Sequence, residues 1–370
     1  MIKIYADNTL IWETGTTDET LAINSPRLVD ELGKVPTLSF EVPNTNVAFG
    51  QIVPLQSRIK VVENGEIIFY GRPVSSEKTF KLTEKIVCEN GLGFLRDFGR
   101  YSSSNINNPV PVQVSPVFDL YAYVLDWYTT DSGDDTIMLT RGVEETRAAA
   151  RLYGKDGWRS YLSMFWDLAE TYPATIWLTW EESGNDILTY LHYAETSQLM
   201  RTDIVYPADV KPQDQTIQFG YTLLDLDENV DLTGVYTVLK VIDSDNSVYY
   251  TYQDADHVSE YGTIYGSTEI SGINRRWSDA AGGRTTEAKR YYDETAYPYI
   301  ERTVKAIDLV DLGANRNRFQ VGFFNRVYSP PHGVDARMQC RRIERQLDRP
   351  GHSVYEFGQV KRTLTERLVR

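Results

Sequence analysis

Apolar and polar positions alternate with a period of two along much of residues 1–100, which predicts strands rather than helices. Leu38, Phe40 and Val42 alternate with polar neighbours, as do Ile59 and Val61. Asn64-Gly65 then breaks two apolar runs. Both residues tolerate the positive φ of a two-residue hairpin, so Ile67-Ile68-Phe69-Tyr70 is expected to return as the partner strand. Further strand-like pieces lie at Phe80 to Leu82 and Lys85 to Cys88. Short strands at this density predict a small antiparallel barrel.

The period changes after Tyr101-Ser-Ser-Ser-Asn-Ile-Asn-Asn-Pro109, a polar stretch that reads as a linker or surface loop. Ser115-Pro116 suits an N-cap with proline at the first helical position. Val117, Leu120, Tyr121, Val124, Leu125 and Tyr128 then share one helical face. A second helix is expected to carry Trp158, Tyr161, Leu162, Phe165, Leu168 and Ala169 and to end near Pro173. A hairpin follows: Ile176, Leu178 and Trp180 alternate, Glu181 to Asp186 turns, and Ile187 to Leu191 returns. Strands resume at Ile217 to Phe219 and Val235 to Ile242. After the loose segment Ser278 to Gly283, a helix is expected through Ala288, Tyr291 and Tyr292, stopping before Pro298. Strands return at Thr303 to Ile307 and Phe319 to Tyr328.

A shift of 268 positions lays one end of the chain over the other, carrying Ile52-Val-Pro-Leu-Gln-Ser-Arg-Ile59 onto Gln320-Val-Gly-Phe-Phe-Asn-Arg-Val327. Val53 meets Val321, Leu55 meets Phe323, Arg58 meets Arg326, and the turn Asn64-Gly65 lands on His332-Gly333. A duplication of this kind predicts two similar barrels, one near each end, with an α+β region inserted between them.

Composition changes the picture only in part. A chain of 370 residues exceeds one comfortable core. The 25 Tyr and 7 Trp favour strands and buried interfaces. A net charge of −14 makes a poor grip on phosphate backbones, although an acidic wall could let a duplex slide past. The first ten residues lack the apolar core of a signal peptide, and no apolar run approaches the ~20 residues needed to span a bilayer. The two cysteines, Cys88 and Cys340, point to a reducing compartment of synthesis, a bridge between them being the alternative.

Motifs that would carry chemistry fail at positions the chemistry requires. His192, His257, His332 and His352 stand outside helical ligand spacing, and neither His-Glu-x-x-His nor Cys-x-x-Cys occurs. Asp254-Ala-Asp256-His257 reads as an exposed acidic turn. Asp225-Leu-Asp227-Glu-Asn229-Val-Asp231 fails as a calcium loop, with Val230 where glycine is needed and Tyr236 where a bidentate Glu is needed. Asp243-Ser-Asp245-Asn-Ser247 fails likewise at Val248. Gly91-Leu-Gly93 lacks the third glycine of a dinucleotide loop. Trp158, Trp166, Trp177 and Trp180 sit on amphipathic elements and read as core rather than as a sugar platform. The basic series Arg341, Arg342, Arg345, Arg349, Lys361, Arg362, Arg367 and Arg370 could meet acidic surfaces of neighbouring subunits or form a solvated face. No residue is assigned a catalytic, cofactor-binding or metal-binding role, no cofactor is expected, and the chain reads as a non-enzyme.

Several segments together resemble the tail-hub family of long-tailed phages, whose members include the tail-associated or prophage endopeptidase tail proteins. They are Leu38-Ser-Phe-Glu-Val-Pro-Asn44, Ser57-Arg-Ile-Lys-Val61 and Ile68-Phe-Tyr-Gly-Arg-Pro-Val-Ser75, then Val87-Cys-Glu-Asn-Gly-Leu-Gly-Phe-Leu-Arg-Asp97. Ile217-Gln-Phe-Gly-Tyr-Thr-Leu-Leu-Asp-Leu226, Tyr261-Gly-Thr-Ile264 and Val304-Lys-Ala-Ile-Asp-Leu309 follow in the family's order. Gly71 is read as backbone freedom after a strand, and Arg72 as an anchor for a buried acid.

The resemblance implies a β-rich α+β fold, the phage tail-hub fold, with two related antiparallel β-barrel domains. The expected layout is a first barrel over 1–100 and an α+β domain over 101–215 plus 244–300. A second barrel takes 216–243 plus 301–347, and 348–370 forms a C-terminal segment. It further implies a homotrimer at the virion tail tip, or baseplate. That trimer would cap the tube, adapt sixfold to threefold symmetry and open for DNA ejection. Its partners would be a distal tail protein hexamer, the tape measure protein and receptor-binding or tail fibre proteins, with DNA only in transit and no membrane segment. Synthesis is expected in the bacterial host cytoplasm. Many relatives continue into a lytic or fibre extension, and this chain stops at Arg370, so lytic activity is not carried over. The hub portion of a cell-wall hydrolase and a carbohydrate-binding host-recognition module are the alternatives. In such a ring the acidic side chains are expected to line the lumen.

Overall fold

The computed structural model describes residues 1–80, 82–102, 113–114, 117–133, 137–139, 150–151, 157–171, 174–184, 186–199, 213–231, 235–242, 248–269, 288–289, 291–292 and 299–358. The chain forms two compact units. One is Met1–Asp225 with Val304–Phe357, and the other is built on Leu226–Thr303.

Period-two alternation becomes a sheet in the first seven strands: β1 (Ile2–Ala6), β2 (Thr9–Glu13), β3 (Asn24–Glu31), β4 (Thr37–Pro43), β5 (Ile59–Glu63), β6 (Glu66–Lys78) and β7 (Thr83–Asn90). In β4 the inward residues Leu38, Phe40 and Val42 are buried and their neighbours are half-buried. They join Ile4, Ile59, Val61, Phe69 and Ile86 in one core. Fully burying side chains of this size stabilises by roughly 1.5–3 kcal/mol each. The β5–β6 hairpin turns at Asn64 and Gly65 with φ of 52° and 91°, the left-handed pair that this dipeptide tolerates.

These strands belong to a 13-stranded sheet that curls as a half-barrel. Its order runs Leu223–Asp231, Tyr299–Ala306, Val354–Gly358, Val334–Gln346, β3, β4, β7, β6, β5, β1, β2, with Phe324–Ser329 and Ile217–Gln218 flanking Val334–Gln346. The β-rich α+β class is therefore as expected, and the barrel-like halves share one sheet.

The 268-residue shift holds for three neighbouring strands, laying β5, β6 and β7 over Phe324–Ser329, Val334–Gln346 and Val354–Gly358, whereas β1 and β3 are matched by strand order alone. It carries β6 onto Val334–Gln346, and both strands are 13 residues long. The neighbour series β3, β4, β7, β6, β5, β1 is matched by Leu223–Asp231, Tyr299–Ala306, Val354–Gly358, Val334–Gln346, Phe324–Ser329, Ile217–Gln218. The last pair departs from the match, being antiparallel in the first series and parallel in the second.

Between the two series lie α1 (Val117–Ser132), α2 (Tyr161–Thr171) and the hairpin Ala174–Ser183 with Asp186–Glu195. Tyr121, Val124, Tyr128, Tyr161, Phe165 and Tyr193 make their shared core. Two local expectations are corrected. Trp158 lies in the strand Gly157–Ser160, paired with Tyr101, and not in a helix. Phe80 and Leu82 lie in no strand but between β6 and β7, where Leu82 takes φ 57°.

The second unit contains a three-stranded sheet in the order Val248–Gln253, Val238–Ile242, Tyr265–Glu269, and the helix Ala255–Tyr261. Leu239, Val241, Ala288 and Tyr292 form its core. The expected cap at Ser115-Pro116, the loop at Ser278 to Gly283, the stop at Pro298 and Asp243 to Ser247 lie outside the described residues.

Candidate functional site

Two of the segments that carry the resemblance, Ile68 to Ser75 and Val87 to Asp97, meet at Arg72. Arg72 on β6 donates from Nε and Nη2 to Glu89 Oε1, at 3.1 and 2.9 Å, and from Nη2 to Asp97 Oδ1 at 2.9 Å. Its Nη1 also bonds Asp97 Oδ2, and the guanidinium lies 4.9 Å from the Phe94 ring centroid. Glu89 and Asp97 both belong to the resemblance segment Val87 to Asp97, and Glu89 is the buried acid expected for Arg72. The hydrogen bond donated to Asp97 holds the guanidinium above its usual pKa despite partial burial.

Gly71 owes its place to something other than the freedom expected of it. It sits inside β6 opposite Asn90, and a Cβ there would stand 1.9 Å from the Glu89 carbonyl oxygen. Close approach of two backbones is the requirement.

A second ionic cluster ties the two strand series together. Arg318 donates to both oxygens of Glu63 at 3.1 and 2.7 Å, and its Nη1 reaches Asp311 Oδ1 at 2.6 Å. Arg345 Nη2 lies 2.9 and 3.1 Å from the same two Glu63 oxygens. Tyr355 donates to Asp311 Oδ2 at 2.5 Å. Burial pulls the Glu63 carboxyl up, but Arg345 and Arg318 outweigh it and hold the group below its usual value. Nearby, fully buried Asp308 accepts from Gln215 Nε2 at 2.8 Å and from the Val310 and Phe319 N–H groups, and burial raises its pKa.

The strand Val334–Gln346 pairs antiparallel with β3 from Arg342 opposite Glu31 to Gln346 opposite Arg27. On β3, burial pushes Asp30 up to about 7. Of the basic series, Arg342 bonds Glu344 and Glu356, Arg345 bonds Glu63, and Arg349 lies near Asp348. Lys361, Arg362, Arg367 and Arg370 lie outside the described residues.

Other singled-out residues have structural partners. His192 is buried, stacks on Trp177 at 5.1 Å and lies 2.6 Å from Thr179 Oγ1. His257 Nδ1 is 2.8 Å from the Tyr292 hydroxyl, and His332 Nδ1 is 2.6 Å from Ser329 Oγ. His352 lies in a short turn. Asp254 caps the helix Ala255–Tyr261, accepting from the Asp256 and His257 N–H groups. The run Asp225 to Asp231 is extended strand, with Asp225 bonded to Lys305 and Glu228 to Arg302. Gly91 and Gly93 sit in a short turn of 3-10 helix capped by Asn90. Trp166 and Trp180 pack on the α+β core and Trp177 on Phe323, whereas Trp158 is exposed. Cys88 and Cys340 are buried free thiols. Among the described residues no group of His, Cys, Asp and Glu could hold a metal, and no helix is long and apolar enough to cross a membrane.

No protein-family profile matches the chain, and no curated protein matches it in sequence. Solved structures do match along their whole length. The prophage tail protein gp18 from Listeria monocytogenes EGD-e superposes with a TM-score of 0.55 at 12% identity, over 100% of this chain and 97% of that one. The chain has the fold of phage tail proteins. A tail protein from Neisseria meningitidis MC58 superposes with a TM-score of 0.57 at 12% identity, covering 97% and 96% of the two chains. The 43 kDa tail protein of prophage MuSo2 from Shewanella oneidensis gives 0.56 at 11% identity, covering 97% and 98%. This tail-protein fold agrees with the sequence resemblance, and at such identities it is the fold that is shared.

Proposed function

We propose that this chain is a structural hub subunit at the distal tip of a phage tail, assembling as a homotrimer. The observation that carries the reading is the similar order of neighbouring strands at the two ends of the sheet in a tail-protein fold. Three copies would present six similar faces to a sixfold tail tube while keeping threefold symmetry below, which is the geometry of a symmetry adaptor. Its upper partner would be a distal tail protein hexamer, with the tape measure protein and receptor-binding or fibre proteins nearby. DNA would cross only in transit during ejection.

The role is structural rather than enzymatic. The solved structures that share the fold are tail proteins, which favours this role. The net charge of −14 suits a wall that repels phosphate from a lumen.

Mass in solution tests the reading, measured for the chain alone and mixed with the distal tail protein of the same phage. A threefold assembly in either condition is expected. A monomer in both would overturn it.

A further inference from the structure

We infer that the outer side of α1 carries a binding site for neutral glycans, built from Tyr123, Trp127 and Arg100. The site lies in the α+β region between the two strand series and is independent of the hub reading.

Helical spacing lays the site out. Tyr123, Trp127 and Asp131 recur every four residues of α1 and so form one stripe, with one residue per turn. Val124 and Tyr128 beside them are buried in the α+β core, which fixes the rotation of the helix and turns Tyr123 outward, 44% exposed. Trp127 packs partly on that core and stays half-buried. The two rings meet edge to face, with centroids 5.3 Å apart and planes at 87°. Rings at right angles make an exposed corner instead of a flat patch. An aromatic face is negative, and the C–H groups on the face of a sugar ring carry partial positive charge, so the two surfaces attract.

The polar half of the site is held in place before any ligand arrives. Arg100, on the strand Gly99–Ser102, lies with its guanidinium 4.9 Å from the Trp127 ring centroid. It donates from Nε to Asp131 Oδ2 at 3.0 Å and from Nη2 to Asp131 Oδ1 at 3.1 Å. The Tyr161 hydroxyl bonds the same carboxylate. A guanidinium held at two points has little freedom left to lose on binding. Arg100 Nη1, the Trp127 indole N–H and the Tyr123 hydroxyl make no hydrogen bond among the described residues. They are donors that sugar hydroxyl groups can satisfy.

Charge selects the ligand class. Arg100 and Asp131 cancel, and the exposed Asp126 lies one turn from Tyr123. A patch with no surplus positive charge gives no grip on phosphate, so nucleic acids and phosphorylated polymers fit poorly and an uncharged polyhydroxyl ligand fits well.

The test uses the full chain and an immobilised panel of neutral tetrasaccharides, α- and β-linked, of glucose, galactose and N-acetylhexosamine. Single-stranded DNA and polyphosphate are run alongside. At least one neutral sugar should bind, with an affinity that stays within about twofold between roughly 50 and 500 mM salt, because no counterion is released. Tyr123→Ala and Arg100→Gln should each weaken it by about tenfold, through loss of a ring face or of a charge-assisted hydrogen bond. Trp158→Ala, at an exposed aromatic elsewhere in the same region, should leave it unchanged. Circular dichroism checks that each variant folds; should Arg100→Gln unfold, the outward-facing Tyr123→Ala decides. Binding that survives Tyr123→Ala overturns the site. So does a chain that binds only DNA or polyphosphate, or nothing in the panel.

Discussion

Arg345 donates to both carboxylate oxygens of Glu63, a residue 282 positions earlier in the chain, and so joins the end of the second strand series to the β5–β6 hairpin of the first. Arg318 approaches the same carboxylate from a third segment. A partly buried acid shared by two guanidinium groups is costly to remove from one side only, because two buried cations are then left facing each other.

Glu63→Gln is therefore expected to destabilise the chain by about 3 kcal/mol at neutral pH. Denaturant unfolding monitored by tryptophan fluorescence measures it. The Glu63 carboxyl is held below its ordinary value near 4.5, so the stability it contributes is present above that value. It is lost as pH falls through the lowered value, and the difference between native and variant should shrink there. A gap that stays constant into acid would contradict the ionic account.

Asp30 should behave with the opposite sign. Burial raises its pKa to about 7, so the folded chain binds a proton that the unfolded chain releases near 4. Stability from this group is complete below the unfolded value and declines as pH rises through about 7. Asp30→Asn should stabilise the chain by on the order of 1 kcal/mol at pH 8, with little effect near pH 4. Thermal melts at the two pH values decide it, and equal shifts at both would refute the assignment.

At Gly71 the prediction is steric. An alanine Cβ would stand 1.9 Å from the Glu89 carbonyl oxygen, a backbone atom that cannot turn away. Gly71→Ala must spread β6 from β7, at a cost of about 3 kcal/mol. The melting temperature should drop by several degrees, and native-like stability would show that the strands separate easily.

Arg72→Lys tests the clamp on Glu89 and Asp97. Lysine keeps the charge but not the planar fork that bonds both acids. A loss of about 2 kcal/mol is expected, and Arg72→Gln with Glu89→Gln together should cost less than the sum of the single changes. Additive losses would mean that the two side chains act independently.

Much of this architecture is legible along the chain because it depends on near neighbours. The β4 strand, the Asn64-Gly65 turn and the helix α1 follow from side-chain period and backbone permissiveness, which are local properties. The failure of Asp225 to Asp231 as a calcium loop could likewise be read from Val230 and Tyr236. Where local signals misled, a longer-range term prevailed. Phe80 and Leu82 are apolar enough for a strand, yet the β6–β7 register leaves both between the two strands. Trp158 has helical spacing, but pairing with Tyr101 draws it into a strand.

Other features depend on contacts between residues far apart, and no pattern along the chain encodes them. That Arg72 clamps Glu89 and Asp97, that Glu63 gathers Arg318 and Arg345, and that Gly71 exists for strand approach are outcomes of register between distant strands. The same holds for the repeat. Its offset is visible as a handful of aligned side chains, but only hydrogen bonding across the sheet shows that Val334–Gln346 pairs with β3 while the pairing of β5 with β6 ends at Gly71. Periodicity says which face of a strand is buried; the partner along its edge is chosen by backbone hydrogen bonds, which every residue type except proline can donate and accept alike.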